Sequence, residues 1–425
     1  MPAIQAMSGS LTDRLRRLVG AMRADLRDGI LPFWLELEDA THGGHYALMD
    51  QQGRIDVTAP KPTIFVARLL WTFATAGQAL KSEACLLHAQ RSKRFLLDRL
   101  RDPNDGAFHW SVSHDGRPLA RDKHVYAQAF AIYGLSAHAM ATGDEESLNA
   151  AERLFGLLEA RARQPDGSYA EAFDGEWRPI PNHRMTPRLS LWNRLARRDA
   201  ARTANTHIHL IEAYESLLRA GANAAVGAAL RGLLEGFLTA FVASSGTHCH
   251  AALDARLRPL HAPVSYGHDI EASWLIEAAG DALGDAALTQ RLRVAASRLA
   301  AAAVRGQGAD GGWIAESGGA AARTWWVQAE AVVGLVNAAL RGGDPAMMER
   351  AEACWAFIER CMIDRQGGEW FHAVDASGRP DRTKYKVGPW KDPYHQVRAC
   401  LYLAARLKQL EAGGDDGVID RSPTE

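Results

Sequence analysis

Apolar residues return along this chain with a spacing of three and four in long stretches that come in pairs. Examples are HVYAQAFAIYGLSAHAMA followed by ESLNAAERLFGLLEARA, and TANTHIHLIEAYESLLRA followed by AAVGAALRGLLEGFLTAF. Such spacing predicts amphipathic helices. Between the pairs the period changes to two, after a turn with a glycine. This signal occurs at Gly44 with Tyr46, Gly106 with Phe108, Gly167 with Tyr169, Gly311 with Trp313 and Gly368 with Trp370, with a degenerate copy near Gly246. A glycine turn followed by alternating apolar positions fits a short β-hairpin. The interval is about 57 to 79 residues, room for two helices, so the pattern predicts six helical hairpins, or twelve helices. One such unit cannot bury its apolar faces until neighbours stack against it. Closure into a ring leaves no terminal face exposed, so the expected fold is all-α, an (α/α)6 barrel with short β-hairpins in its loops; an open solenoid is the competing arrangement.

Composition narrows the picture. The 425 residues carry 49 Lys plus Arg against 50 Asp plus Glu, a near-neutral balance that gives no footprint for nucleic acid or an anionic membrane surface. The five cysteines are scattered without a CxxC pair, the beginning lacks the apolar core of a secretion signal, and no stretch reads as a membrane span. The expected location is the cytoplasm. A single domain is expected over 11–412, with loose ends at 1–10 and 413–425. There is no GxGxxG, GxxxxGK[ST] or GxSxG, and His248, Cys249 and His250 have no second ligand pair at structural-zinc spacing, so no cofactor or metal is expected.

Polar residues inside apolar helices are the informative ones, because burying them is costly unless they are bonded. Asn205, His209 and Glu212 share one helical stripe and His207 points away from it; the trio is either catalytic or a self-satisfied polar set near a helix start. Ser265, His268 and Glu271 repeat the arrangement on another helix. In GPWKDPYHQVR, His395 opens the last amphipathic run, where a helix N-terminus disfavours imidazolium. Arg68 sits in the apolar stripe of FVARLLWTF. Tyr126, Trp325, Trp326, Gln328 and Glu330 fit an aromatic-walled polar cup, and Trp71, Trp274 and Trp355 fit core filling equally well.

In NTHIHLIEAY, SYGHDIEASWL, WWVQAEA, DKHVYAQAFAIYGLSA and GPWKDPYHQVR the chain resembles the N-acylglucosamine 2-epimerase superfamily, and most closely its cellobiose 2-epimerase branch. The resemblance implies inversion at C2 of an aldose, or of the reducing-end sugar of a β-1,4-linked disaccharide, without redox cofactor or metal. It makes His268 and His395 the acid/base pair and Arg68 and His209 the polar groups around the open-chain sugar. Tyr126, Asn205, Glu271, Glu330 and Trp390 would complete the substrate shell, with either Trp325 or Trp326 beside them, and Trp390 and Trp370 are the candidate platforms for a second sugar. Asp392 stands where the disaccharide branch carries an uncharged residue, which keeps free mannose, glucose or fructose as the alternative substrates. A glycoside hydrolase or lyase on the same barrel and a non-catalytic sugar-binding repeat protein are the rival classes. Either a monomer or a homodimer is compatible with the sequence.

Overall fold

The computed structural model describes residues 10–182, 200–221, 223–319 and 321–412. Most of the two ends expected to be loose thus lies outside the described residues; Ser10, the last residue of the first end, caps the opening helix by accepting from Asp13 N. Twelve long helices occur among the described residues. They are α1 (Leu11–Asp25, carried on through a π-turn, Leu26–Ile30, into Leu31–Leu35), α2 (Thr63–Leu80), α3 (Glu83–Phe95), α4 (Val125–Thr142), α5 (Glu145–Arg161) and α6 (Ala204–Arg219). The second half contains α7 (Ala224–Gly236), α8 (Tyr266–Leu283), α9 (Ala286–Ala303), α10 (Trp325–Gly342), α11 (Pro345–Phe357) and α12 (Tyr394–Ala412).

Helices α2, α4, α6, α8, α10 and α12 each pack on the next, and α12 returns to α2, so they form a closed inner ring. The odd-numbered helices lie outside it. The chain ends close the circle, because α1 is the outer partner of α12; Arg14 on α1 binds Glu352 on α11 at 2.6 Å. The expected (α/α)6 barrel is therefore the observed fold, and the open solenoid is not. Inner helices are contacted from several sides, which explains their small residues. A Cβ on Gly134 would stand 2.6 Å from the Ala67 carbonyl oxygen, and one on Gly334 would stand 2.6 Å from Ile270, so glycine permits α2–α4 and α8–α10 to approach this closely.

All six turn signals form, including the degenerate one. The chain leaving each outer helix pairs across the turn as Glu38 with His45, Arg101 with Phe108, Arg163 with Tyr169, Val242 with Cys249, Gln307 with Trp313 and Ile363 with Trp370. In the first copy the paired residue is His45, one place before the expected Tyr46. These turn residues are buried, and the start of the adjoining inner helix holds several of them. Gln128 and Gln328 accept from Phe108 N and Trp313 N, His207 accepts from Tyr169 N, and Asp269 accepts from Cys249 N. Farther along, each returning strand pairs with the residues just before an inner helix, for example Lys61 with Val112, Lys123 with Phe173 and Arg202 with Leu253. Met49 with Val387 completes the circle between the two ends of the chain. These pairings gather the starts of all six inner helices at one end of the barrel.

The absence of a span-like stretch is corrected by α7: Ala224–Phe241 is long and apolar enough to cross a membrane by length and composition. Here it is an outer helix and its continuation, with Val226, Leu230, Leu233 and Leu234 buried against the ring and Arg231 and Glu235 in the same stretch.

Candidate active site

The sixth residue of five inner helices points to one place: Arg68 of α2, Phe130 of α4, His209 of α6, Glu271 of α8 and Glu330 of α10. On α12 the bond from Val397 N to Pro393 O makes Pro393 the cap of the helix that opens at Tyr394, and the Asp392 carboxylate just before it accepts from Tyr394 N at 3.0 Å. Arg398 is the fifth residue of α12 and His395 the second, each one place earlier than its counterpart on the other inner helices, such as His268, the third of α8. The starts of helices far apart in sequence thus converge in one ring of side chains.

Its connections are short and specific. Arg398 donates through Nη1 to Glu212 and through Nη2 to Glu271 Oε1 at 2.5 Å and Glu330 Oε1 at 2.7 Å. His395 Nδ1 meets Glu330 Oε1 at 2.7 Å, and Trp274 Nε1 donates to Glu330 Oε2 at 3.0 Å. His209 Nδ1 meets Glu212 Oε2 at 2.9 Å, and Tyr394 OH donates to the same carboxylate at 2.6 Å. Arg68 lies against the Phe130 and Tyr394 rings, donates from Nη2 to Tyr126 OH at 2.9 Å and pairs through Nη1 with Asp392 at 3.2 Å. His268 Nδ1 meets Ser265 Oγ at 2.8 Å. The Trp326 indole touches both remaining imidazoles, with ring centroids 4.9 Å from His268 and 5.6 Å from His395.

Burial sets the electrostatics. It drives His395 well below the usual imidazole value, and the nearby Arg68 and Arg398 add to the effect, so the ring is neutral near pH 7. Burial followed by repulsion from Glu330 pushes Glu271 up to about 7. Glu212 is also buried, but Arg398 and His209 outweigh that effect and bring it to about 2. Oxygen and nitrogen atoms of Glu271, Glu330 and His395 lie within 4.8 Å of one another, a metal-like grouping. Arg398 already supplies its positive charge from a single nitrogen shared by the two carboxylates.

Of the residues expected at the site, Arg68, Tyr126, His209, His268, Glu271, Trp326, Glu330 and His395 belong to this connected cluster, and Asn205 lies one helical turn before His209. Trp390, half-buried, reaches it through Tyr126, with ring centroids 6.0 Å apart. Trp325 stands edge-on to His395, ring centroids 6.4 Å apart, and packs its other contacts on His372 at 4.7 Å and Lys391 Nζ at 5.2 Å. Trp370 is not at the site: it is the buried turn residue of the last repeat, packed on Trp355 and donating to Asp25 Oδ2 at 2.8 Å. Glu212, Tyr394, Trp274 and Arg398 complete the cluster, and of these Arg398 was not expected there. An arginine within the apolar run after PYH is the same signal that singled out Arg68, and Glu212 was visible on the His209 stripe.

A barrel whose inner helices aim imidazoles, carboxylates and arginines at one end defines an (α/α)6-barrel enzyme. Residues 43–399 match the profile of the N-acylglucosamine 2-epimerase (GlcNAc 2-epimerase) family, and the chain belongs to that family of carbohydrate isomerases. Within it the chain falls with the cellobiose 2-epimerase branch. It is 37% identical over 391 residues to the cellobiose 2-epimerase of Bacteroides fragilis, covering 90% of this chain and 97% of the relative. That of Ruminococcus albus is 35% identical over 394 residues, covering 92% and 99%. The solved structure of cellobiose 2-epimerase from Spirochaeta thermophila superposes with a TM-score of 0.87 at 36% identity, covering 95% of this chain and all of that one.

Proposed function

We propose that the protein is a cofactor-independent 2-epimerase that inverts C2 of the reducing-end aldose of a β-1,4-linked disaccharide of the cellobiose or mannobiose kind. Once the ring opens, the C1 aldehyde makes the C2 hydrogen removable, because the electron pair left on C2 spreads to the aldehyde oxygen as an enediolate. One imidazole takes that proton and the other delivers a proton to the opposite face. The observation that carries this reading is the placing of His268 and His395 against one indole, each with its own orienting partner. His395 is neutral, so its Nε2 can accept a proton while Glu330 holds Nδ1–H and then balances the imidazolium. Arg68, with Tyr126 beside it, is the donor for the charge that develops on the sugar oxygens.

Asp392 does not argue against a second sugar. Its carboxylate is fully buried, spent on Arg68 and on capping α12, so its charge does not face the cavity. The hydrolase reading loses its geometry as well: Glu271 and Glu330 are held side by side on one arginine nitrogen, whereas hydrolysis needs carboxyls across a glycosidic bond.

Proton NMR in deuterated water with cellobiose, mannobiose, mannose, glucose and N-acetylglucosamine tests the proposal. Deuterium at C2 with appearance of the C2 epimer of a disaccharide is the expected result. Free glucose from cellobiose as the main product would replace it with hydrolysis, and exchange confined to free hexoses would shift the substrate to the monosaccharides.

A further inference from the structure

Arg398 is the most heavily engaged side chain of the cluster, yet it lies behind the imidazoles. Its guanidinium is 3% exposed and is sandwiched between the Trp274 and Tyr394 rings, 4.7 and 4.4 Å from its central carbon. Three carboxylates from three helices converge on it: Glu212 of α6, Glu271 of α8 and Glu330 of α10. Like charges this close cannot all ionise without a counter-cation. Two of the three compete for one nitrogen, and one of those two, Glu330, is the acceptor for His395 Nδ1.

We propose that Arg398 is a positioning residue: by spanning Glu271 and Glu330 with one nitrogen and Glu212 with the other, it holds Glu330 as a carboxylate aimed at His395 Nδ1, and so decides which nitrogen of that imidazole carries the proton. The role rests on the epimerase reading insofar as His395 is an acid/base group; the bonding itself does not. An imidazole held with its proton on Nδ1 presents the Nε2 lone pair to the sugar, whereas the opposite tautomer presents N–H and cannot act as a base.

The electrostatics agree in sign. Burial raises Glu271 and Glu330, and Arg398 opposes the rise in both. Facing the same groups are His209 on α6, Arg68 on α2 and the Tyr394 hydroxyl; Arg68 is already paired with Asp392 and cannot replace Arg398. Without Arg398, Glu330 takes up a proton at higher pH, its hydrogen bond from Nδ1–H is lost, and activity disappears on the acid side sooner.

The test uses the full chain with two variants, Arg398→Lys, which keeps the charge but not the fork, and Arg398→Met with Glu212→Gln, which removes one charge of each sign so that folding is retained. Two readouts separate positioning from scaffolding. The acid limb of kcat/KM for C2 exchange is expected to move up by about one pH unit or more in both variants, with no further movement when Arg398→Lys is added to Glu330→Gln. In protein labelled with 15N-histidine, the signal assigned to His395 by its loss in His395→Gln is expected to change from the Nδ1–H to the Nε2–H form at neutral pH. Folded variants with an unmoved acid limb and an unchanged tautomer would overturn the proposal. If the unaltered protein exchanges no C2 proton with any sugar, the epimerase reading falls, and the tautomer measurement still decides the role of Arg398.

Discussion

His268 and His395 lie in the first turns of two inner helices that flank α10, and the Trp326 indole at the start of α10 touches both rings. A sugar carbon between them would have a base toward each face. His268→Ala and His395→Ala are each expected to lower epimerisation by roughly 100- to 10,000-fold, the usual contribution of a positioned acid or base. NMR of C2 exchange in deuterated water checks this. Retention of substantial exchange in both variants would defeat the two-base account.

The two histidines of THIH differ in what they hold. His207 takes the position that Gln128 and Gln328 fill in other repeats, accepting from the turn amide of Tyr169, with Nδ1 against the Thr203 carbonyl. His209 joins Glu212 inside the ring. His207→Gln is therefore expected to keep most of the activity, because an amide performs the same clamp on two other helices. His209→Gln is expected to lower kcat/KM by about a hundredfold. Equal losses in steady-state assays of the two folded variants would contradict this division of roles.

The repeats were legible because their signals are local: a glycine turn and a change of period are written within ten residues of chain. The site was legible where one polar residue lies inside one apolar helix, as at Arg68, His209 and His395. Ring closure was readable only as the solution that hides every apolar face, since the pairing that makes it joins Met49 to Val387. Arg398 was overlooked because its meaning lies in the meeting of three other helices, which no single segment records. Trp370 was misplaced for a related reason: an aromatic residue after a turn serves equally as a sugar platform or as the plug of a repeat, and only the packing on Trp355 and Asp25 distinguishes them. The apolarity of α7 misleads in the opposite sense, since an outer helix can match the composition of a membrane span.

Several buried histidines make stability depend on pH. Burial alone lowers His124 to about 3, and neither of its ring nitrogens has a hydrogen-bond partner among the described residues. His45 and His372 are lowered to about 3 and His207 to about 4, in each case chiefly by burial. In the unfolded chain these rings titrate near 6.5. Between that value and the folded one, the unfolded state binds protons that the folded state refuses, so stability is full above about 6.5 and is lost as the pH falls toward 3. Buried carboxyls raised by desolvation, Glu171, Asp269 and Glu271 to about 7 and Asp25 to about 6, act with the opposite sign over the same interval, so the histidine contribution is read from thermal unfolding of a variant. His124→Gln should flatten the dependence by about 1.4 kcal/mol per pH unit below 6.5. A pH dependence in the folded His124→Gln variant identical to that of the unaltered protein would show that this ring is not held neutral.

Trp370 and Trp390 were expected to serve the same purpose, a platform for a second sugar, and their surroundings now separate them. Trp370 is 2% exposed, plugs the last repeat and donates its indole N–H to Asp25, whose carboxyl is itself raised to about 6 by burial. Trp370→Ala is expected to cost about 3–5 kcal/mol of stability, the range for emptying a large buried aromatic site, with KM for disaccharide unchanged in the folded fraction. Trp390 is half-buried before α12, its ring 6.0 Å from Tyr126 and 6.1 Å from Trp110, so part of the indole stays exposed beside the cluster. Trp390→Ala is expected to raise KM for cellobiose about tenfold, which is the loss of some 1.4 kcal/mol of apolar contact, and to leave KM for mannose nearly constant. Denaturation curves and a paired KM comparison on cellobiose and mannose check both halves. A Trp390 variant that loses affinity for the two sugars alike would move this indole from the second sugar to the reacting one.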